Sequence, residues 1–256
     1  MARRGRNVLG AFIDALSWDE TIKQIVAWGA AQESRYICIC NVHSVASTTS
    51  DEELKKAVNV ADMSTPDGAP IAWALRHLGF PFQQRINGPD LMWKYLGEAE
   101  RLGQSVFFYG STDITLARLR ESALASFPRL MVAGSLSRPF RSLSALEDEA
   151  EVRFINSSRT NVLFVALGCP KQEKWMAAHR GQINALMIGV GAAFDYHSGT
   201  LRRAPLWMQR KGLEWFFRLC TEPRRLFKRY FLSNSIFIIG IAKQFISKTS
   251  ADSRQE

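Results

Sequence analysis

The chain has 256 residues, 46% hydrophobic and 22% charged, with a net charge of +9. That length and composition suit one α/β domain or a domain with an appendage, and exclude a disordered chain or a small disulfide-stapled one. The scattered cysteines Cys38, Cys40, Cys169 and Cys220 form no zinc spacing and no disulfide framework, as expected in a reducing compartment. The basic start, Met1-Ala-Arg-Arg-Gly-Arg6, is followed by no apolar signal segment, and no run of about 18 apolar residues predicts a membrane span. The charge is unevenly placed. Residues 201–256 hold 12 Lys and Arg against 4 Asp and Glu, while the first 200 are nearly neutral, with 21 against 20. A neutral body with a basic tail points to a polyanionic partner: anionic lipid, nucleic acid or phosphate.

In chain order, residues 8–16 alternate weakly and predict an early strand or hairpin. Ser17-Trp-Asp-Glu20 has capping-box spacing and opens a helix to about Ala31. Tyr36-Ile-Cys-Ile-Cys-Asn41 is a compact apolar run, expected to be a buried parallel strand. A helical stretch over 42–61, a short strand at 62–64 and the turn Thr65-Pro-Asp-Gly68 follow. A helix is expected over 69–78. A second starts at Asn87-Gly-Pro-Asp90, with Pro near its first position, and runs to about Leu102. Strands are predicted at 105–109, 130–134, 161–167 and 186–190, with helices between them. This alternation predicts an α/β, Rossmann-like parallel sheet flanked by helices. From Arg202 the pattern becomes helical, basic and aromatic. The expected division is therefore a core over 1–200 and a basic helical appendage over 201–256, its end frayed from about Lys248.

Several residues could carry chemistry. Asp67 follows a strand, where groups line the ligand crevice of an α/β sheet and a carboxylate could take a proton from a hydroxyl. The bland alternative is a turn Asp bonding its own backbone. Arg85, in Arg85-Ile-Asn-Gly-Pro-Asp-Leu91, offers a guanidinium fork suited to a diphosphate, or simply a surface ion pair. Gly110-Ser-Thr is a candidate phosphate cradle at a strand-to-helix junction. Leu167-Gly-Cys-Pro-Lys-Gln-Glu-Lys-Trp175 follows a buried strand directly, so Lys171, Gln172 and Glu173 would project from a helix start at the functional edge. Gly189-Val-Gly-Ala-Ala-Phe-Asp195 lacks the third glycine of a dinucleotide loop, and its glycines are expected to serve close backbone packing. His43, His77, His179 and His197 show no metal-ligand pattern, and no Asp-x-Asp motif is present, so no metal and no cofactor is expected. Arg218, Arg224, Arg225, Lys228 and Arg229 interleave with aromatic residues, either as an interfacial membrane helix or as a helix covering the core.

Taken together and in this order, Thr65–Gly68, Arg85–Leu91, Leu167–Trp175, Gly189–Asp195, Arg203-Ala-Pro-Leu-Trp-Met-Gln-Arg-Lys-Gly-Leu-Glu-Trp215 and Arg218–Leu226 resemble the WecB/TagA/CpsF glycosyltransferases over most of the chain. The resemblance implies an inverting, metal-independent transfer of N-acetylmannosamine or a related sugar. The donor would be a UDP-sugar and the acceptor an undecaprenyl-diphosphate-linked saccharide of a cell-surface glycan. It further implies a peripheral enzyme on the cytoplasmic face of the membrane, with the appendage completing the site there. Asp67 matches the family's general base and Arg85 its phosphate-holding arginine. Gln172 matches a pocket glutamine, Arg218 and Arg225 match appendage arginines, and Asn41 a strand-end asparagine near the donor. Family members often carry threonine just before that asparagine. This chain has Cys38-Ile-Cys-Asn41, so a hydroxyl contact is expected to be missing. Two rival readings are a nucleotide-dependent oxidoreductase, which the imperfect Gly-x-Gly motif disfavours, and a nucleic-acid binder, for which no motif is recognised. A homo-oligomer is left open.

Overall fold

The structure, a computed structural model, describes residues 3–139, 141 and 143–252, the side chains from 248 onward excepted. It opens with an antiparallel hairpin of β1 (Gly5–Val8) and β2 (Ala11–Asp14). The core then alternates: α1 (Trp18–Ala30), β3 (Arg35–Cys40), α2 (Val42–Ser47), α3 (Glu52–Asn59), β4 (Met63–Pro66), α4 (Ala69–His77), α5 (Gly88–Leu102) and β5 (Ser105–Gly110). It continues with α6 (Asp113–Ser126), β6 (Met131–Leu136), α7 (Ala145–Ser157), β7 (Val162–Ala166), α8 (Lys171–Ala178), β8 (Leu186–Gly189) and α9 (Ala193–His197). Six strands form one parallel sheet in the order β4-β3-β8-β7-β5-β6. This is the expected Rossmann-like α/β architecture.

The apolar runs that predicted the strands are split alternately between two core layers, because successive strand residues point to opposite faces. Cys38, Cys40, Phe107, Tyr109, Leu163 and Val165 face one layer with α3, α4, α7 and α8. Ile37, Ile39, Phe108, Phe164 and Ile188 face the other, with α1, α5, α6 and α9. Helices α6 and α8 therefore lie on opposite faces although β5 and β7 are neighbours. The connections leaving these two strands diverge, one toward β6 and one toward β8, and such a switch point opens a crevice at the carboxyl ends of the strands.

Local chemistry explains most boundaries. Ser17 and Glu20 form the expected capping box. The single helix expected over 42–61 is instead two. The hydroxyls of Ser47, Thr48 and Thr49 bond back to the carbonyls of His43, Val45 and Ala46, which competes with helix propagation, and Asp51 recaps the chain at Leu54. The strand expected at 62–64 starts one residue later, since Asp62 spends its carboxylate on the Tyr36 amide, Arg35 and Arg180.

The C-terminal segment that the sequence marks off as an appendage forms α10 (Leu206–Arg210), α11 (Glu214–Thr221) and the long α12 (Pro223–Asp252), which stays helical past the expected fraying point at Lys248. Helix α12 lies along α2 and the hairpin. Phe237 and Ile241 join the core layer that holds Val8, and Gln244 bonds the Leu9 amide and the Asn7 carbonyl. Gly240 permits this seating, for a Cβ there would stand 2.7 Å from the Leu9 side chain. Among the described residues, no helix is long and apolar enough to cross a membrane. One flank of α12 nonetheless exposes Phe227, Phe231, Ile238, Ile239 and Ile246.

Candidate active site

The carboxyl ends of β3 and β4 bring Asn41 and Asp67 side by side. The Asp67 amide donates to the Cys40 carbonyl at 2.9 Å, so the turn after β4 is pinned to the end of β3. Asn41 caps α2: its Oδ1 accepts from the Ser44 amide at 3.1 Å, which turns its NH2 toward the Asp67 carboxylate. The Ile86 amide donates to the Pro66 carbonyl at 2.8 Å and thereby sets Arg85 beside the same strand end. Asp67, Arg85 and Asn41 are thus assembled by backbone bonds between neighbouring elements. Asp67 is only partly exposed, and its pKa is pushed up to about 6. Burial is the main cause and the nearby Glu214 carboxylate adds to it, while Arg85, the Asn41 amide and Arg218 oppose it.

The appendage closes over this corner. Glu214, the first residue of α11, accepts from Arg85 Nη1 at 3.4 Å and from Arg203 Nε at 3.3 Å. Arg203 also donates to Asp90 Oδ1 at 2.6 Å and to Asn87 Oδ1 at 3.4 Å, so it is tied to the start of α5. Asp90 holds its own helix start through Asn87 as well, and the bonds from Arg203 and Asn87 keep its carboxyl below the usual range despite burial.

Arg218 and Arg225, from α11 and α12, converge on Glu222, at 3.9 and 2.5 Å. The Arg218 guanidinium also lies 5.8 Å over the Tyr196 ring, and its Nε has no protein partner. Asp195, beside Tyr196, has a raised pKa. Burial is the cause, with Glu222 adding and Arg225 and Arg218 opposing.

Gln172, at the start of α8, is 4% exposed and donates through Nε2 to Glu173 Oε1 at 2.8 Å. Its carbonyl Oε1 has no protein partner. A Cβ on Gly189 would stand 2.7 Å from Met176 and 3.1 Å from Gln172 Nε2, so this glycine makes room for α8. Gly88 likewise lets α5 approach, for a Cβ there would stand 2.9 Å from the Val190 carbonyl. Gly189 bears out the close-packing reading of its motif, whereas Gly191 does not: a Cβ there would meet Gln172 Oε1 only at 3.8 Å, and the residue instead takes φ 54°. Burial pushes Glu173 up, against the Gln172 and Cys169 hydrogen bonds that favour its charge.

Gly110 ends β5 at the sheet's switch point, where a Cβ would meet the Ala166 carbonyl at 2.7 Å, and Ser111 after it is left-handed at φ 61°. Four strand spacings of about 4.8 Å, roughly 19 Å, separate this turn from Asp67. The fold therefore brings Asn41, Asp67 and Arg85 together with the appendage, and places Gly110 at the other end of one edge. Glu214, Arg203, Asp90 and Asp195 were not among the expected site residues, although each lies in a motif already singled out; Glu173, expected to project from its helix start, is instead buried beside Gln172. Their local spacing carries no periodic signal; the order of the motifs was the only available cue. Among the described residues, no group of three or more His, Cys, Asp and Glu is arranged to hold a metal ion.

A parallel sheet whose carboxyl edge collects a carboxylate, arginines and a side-chain amide sets a proton acceptor beside fixed cations, the groups that a transfer reaction uses. The comparisons narrow the class. A profile of the Glycosyl transferase WecG/TagA/CpsF family matches residues 6–251, and the chain belongs to that family. It is 35% identical over 185 residues to the N-acetylglucosaminyldiphosphoundecaprenol N-acetyl-β-D-mannosaminyltransferase of Bacillus spizizenii, covering 72% of this chain and 69% of that one. It is 26% identical over 245 residues to the Staphylococcus aureus protein of the same name, covering 94% of both. The protein is a glycosyltransferase.

Proposed function

We propose that the protein transfers N-acetylmannosamine, or a closely related sugar, from a UDP-sugar to a saccharide carried on undecaprenyl diphosphate. It would invert the anomeric centre without a metal ion. The relatives' names supply the sugar and the lipid-linked acceptor; the chemistry is argued from this chain's own residues. In the proposed step the acceptor hydroxyl oxygen bonds to the sugar's anomeric carbon while the bond to UDP breaks. Asp67 takes the hydroxyl proton, and UDP leaves with the electron pair. A carboxylate with a pKa near 6 is a better proton acceptor than an ordinary aspartate and is still ionised at neutral pH.

The observation that carries this reading is the meeting of Asp67, Arg85 and Arg218 at one strand edge. The departing diphosphate gains negative charge, and fixed guanidinium groups meet it without reorganising. We assign the donor's nucleotide to the crevice at the β5/β7 switch point beside Gly110. Its sugar would reach past Gln172, whose buried carbonyl oxygen lacks a protein donor. The basic, aromatic flank of α12 would rest on an anionic membrane surface, making the enzyme peripheral on the cytoplasmic face, where its lipid-linked acceptor is presented.

The test is a transfer assay with full-length protein, a panel of UDP-sugars starting with UDP-N-acetylmannosamine, and a short-chain lipid-diphosphate-N-acetylglucosamine acceptor. UDP release that depends on acceptor and persists in EDTA is the expected result. Release that EDTA abolishes, or that no UDP-sugar supports, contradicts the proposal.

A further inference from the structure

The site has to reconcile two opposed demands. Arginines gathered for a diphosphate also face the carboxylate that must accept a proton, and a nearby cation makes a carboxylate a weaker base. From the elements packed around it, Asp67 is faced by Arg85 of the α4–α5 loop and by Arg218 and Glu214 of α11. The neutral groups beside it are Asn41 and the buried Cys40 thiol at the end of β3. Among these groups Glu214 is the one further anion. It sits 18% exposed at the start of α11, bridging Arg85 at 3.4 Å and Arg203 at 3.3 Å, and Arg203 is anchored in turn to Asp90 at 2.6 Å.

We propose that Glu214 is a positioning residue of the transfer reaction, through which the docked appendage orients Arg85 and sets the charge beside Asp67. The inference rests on the assignment of Asp67 as base. Glu214 acts through its neighbours: it satisfies one edge of the Arg85 guanidinium and leaves the rest for phosphate oxygens. Its charge offsets the pull of Arg85 and Arg218 on Asp67. Because it arrives on α11, Glu214 adds to the effect of burial on Asp67 only with that helix in place. Arg203 is spent on Asp90 and Asn87, so it fixes where Glu214 sits.

The experiment is the pH dependence of kcat/KM for wild type, Glu214→Gln and Asp67→Asn, with UDP-N-acetylmannosamine and the lipid-diphosphate acceptor at constant ionic strength. Wild type should gain activity through about pH 6, as Asp67 loses its proton. Glu214→Gln keeps the size and one acceptor oxygen but removes the charge. Its acidic limb should move down by about half to one pH unit, and its plateau should fall roughly three- to tenfold. A limb that stays in place while activity drops uniformly leaves Glu214 a purely structural role and overturns the inference. An acidic limb that survives in Asp67→Asn at comparable activity overturns the base assignment itself, a distinguishable outcome. If Glu214→Gln does not melt cooperatively, Glu214→Asp takes its place. Its carboxylate is drawn back by one methylene, and the limb should move the same way by less. An unmoved limb there also overturns the proposal.

Discussion

Arg3 and Arg218 are nearly equally exposed, at 22% and 21% of their side chains, yet they are used in opposite ways. Arg3 is fully spent. It meets Asp14 at 2.6 Å and the carbonyls of Asn59 and Ala61 at 2.9 and 2.8 Å, stitching the N-terminal hairpin to the α3–β4 turn. Arg218 has Glu222 only at 3.9 Å and a ring below it, with its Nε unpartnered. A half-buried guanidinium that has lost water without gaining partners is costly, and such a cost is retained where a ligand completes the set. Arg3 is consumed for stability, whereas Arg218 is left short of partners near the strand edge that holds Asp67.

Substitutions should separate the two uses. Arg218→Ala should lower kcat/KM for transfer roughly 10- to 100-fold, with a melting temperature at or above that of wild type, because it removes a poorly satisfied cation. A large loss of stability with a small loss of activity would reverse the comparison. Arg3→Ala should do the opposite. It leaves the buried Asp14 carboxylate with the Ser64 amide as its main remaining partner and should cost about 3 kcal/mol in denaturant unfolding, with kcat/KM of the folded fraction unchanged.

A smaller effect concerns Asp67 and stability. Its folded pKa of about 6 lies above the ordinary aspartate value of 3.8, so the folded protein holds the proton more tightly than the unfolded chain. The linked stability is fully present below about pH 4 and is lost as pH rises through 6. Asp67→Asn should therefore be more stable than wild type at pH 7, by about 1–2 kcal/mol after solvent screening, and the difference should vanish below about pH 4. Equal unfolding curves at pH 7 would mean that the site does not strain this carboxylate.

The sheet was legible because its signal is strong and local. Apolar runs such as residues 36–40 and 105–109, bounded by turns and capped helices, admit little but buried parallel strands. The capping box at Ser17 and the proline near the start of the helix at 88–102 were equally plain. The helix expected over 42–61 failed because hydrogen bonding by a Ser/Thr cluster to its own backbone is invisible to hydrophobic periodicity. At the site, Asp67 was legible as a carboxylate following a strand and Arg85 as a guanidinium before a helix start, but their partner was not. Glu214 lies 129 positions from Arg85, and no spacing rule joins a loop to the first turn of a distant helix. Motif order across the chain carried that information where pattern within a segment could not.

The most direct test of the account is the turnover of Asp67→Asn in the full-length, cooperatively folded protein, measured as acceptor-dependent UDP release at pH 7. The account predicts a fall of about a hundredfold or more with UDP binding retained, because only the proton acceptor is lost. Turnover within a few-fold of wild type would contradict it, and would leave the carboxylate at the end of β4 as part of the architecture alone.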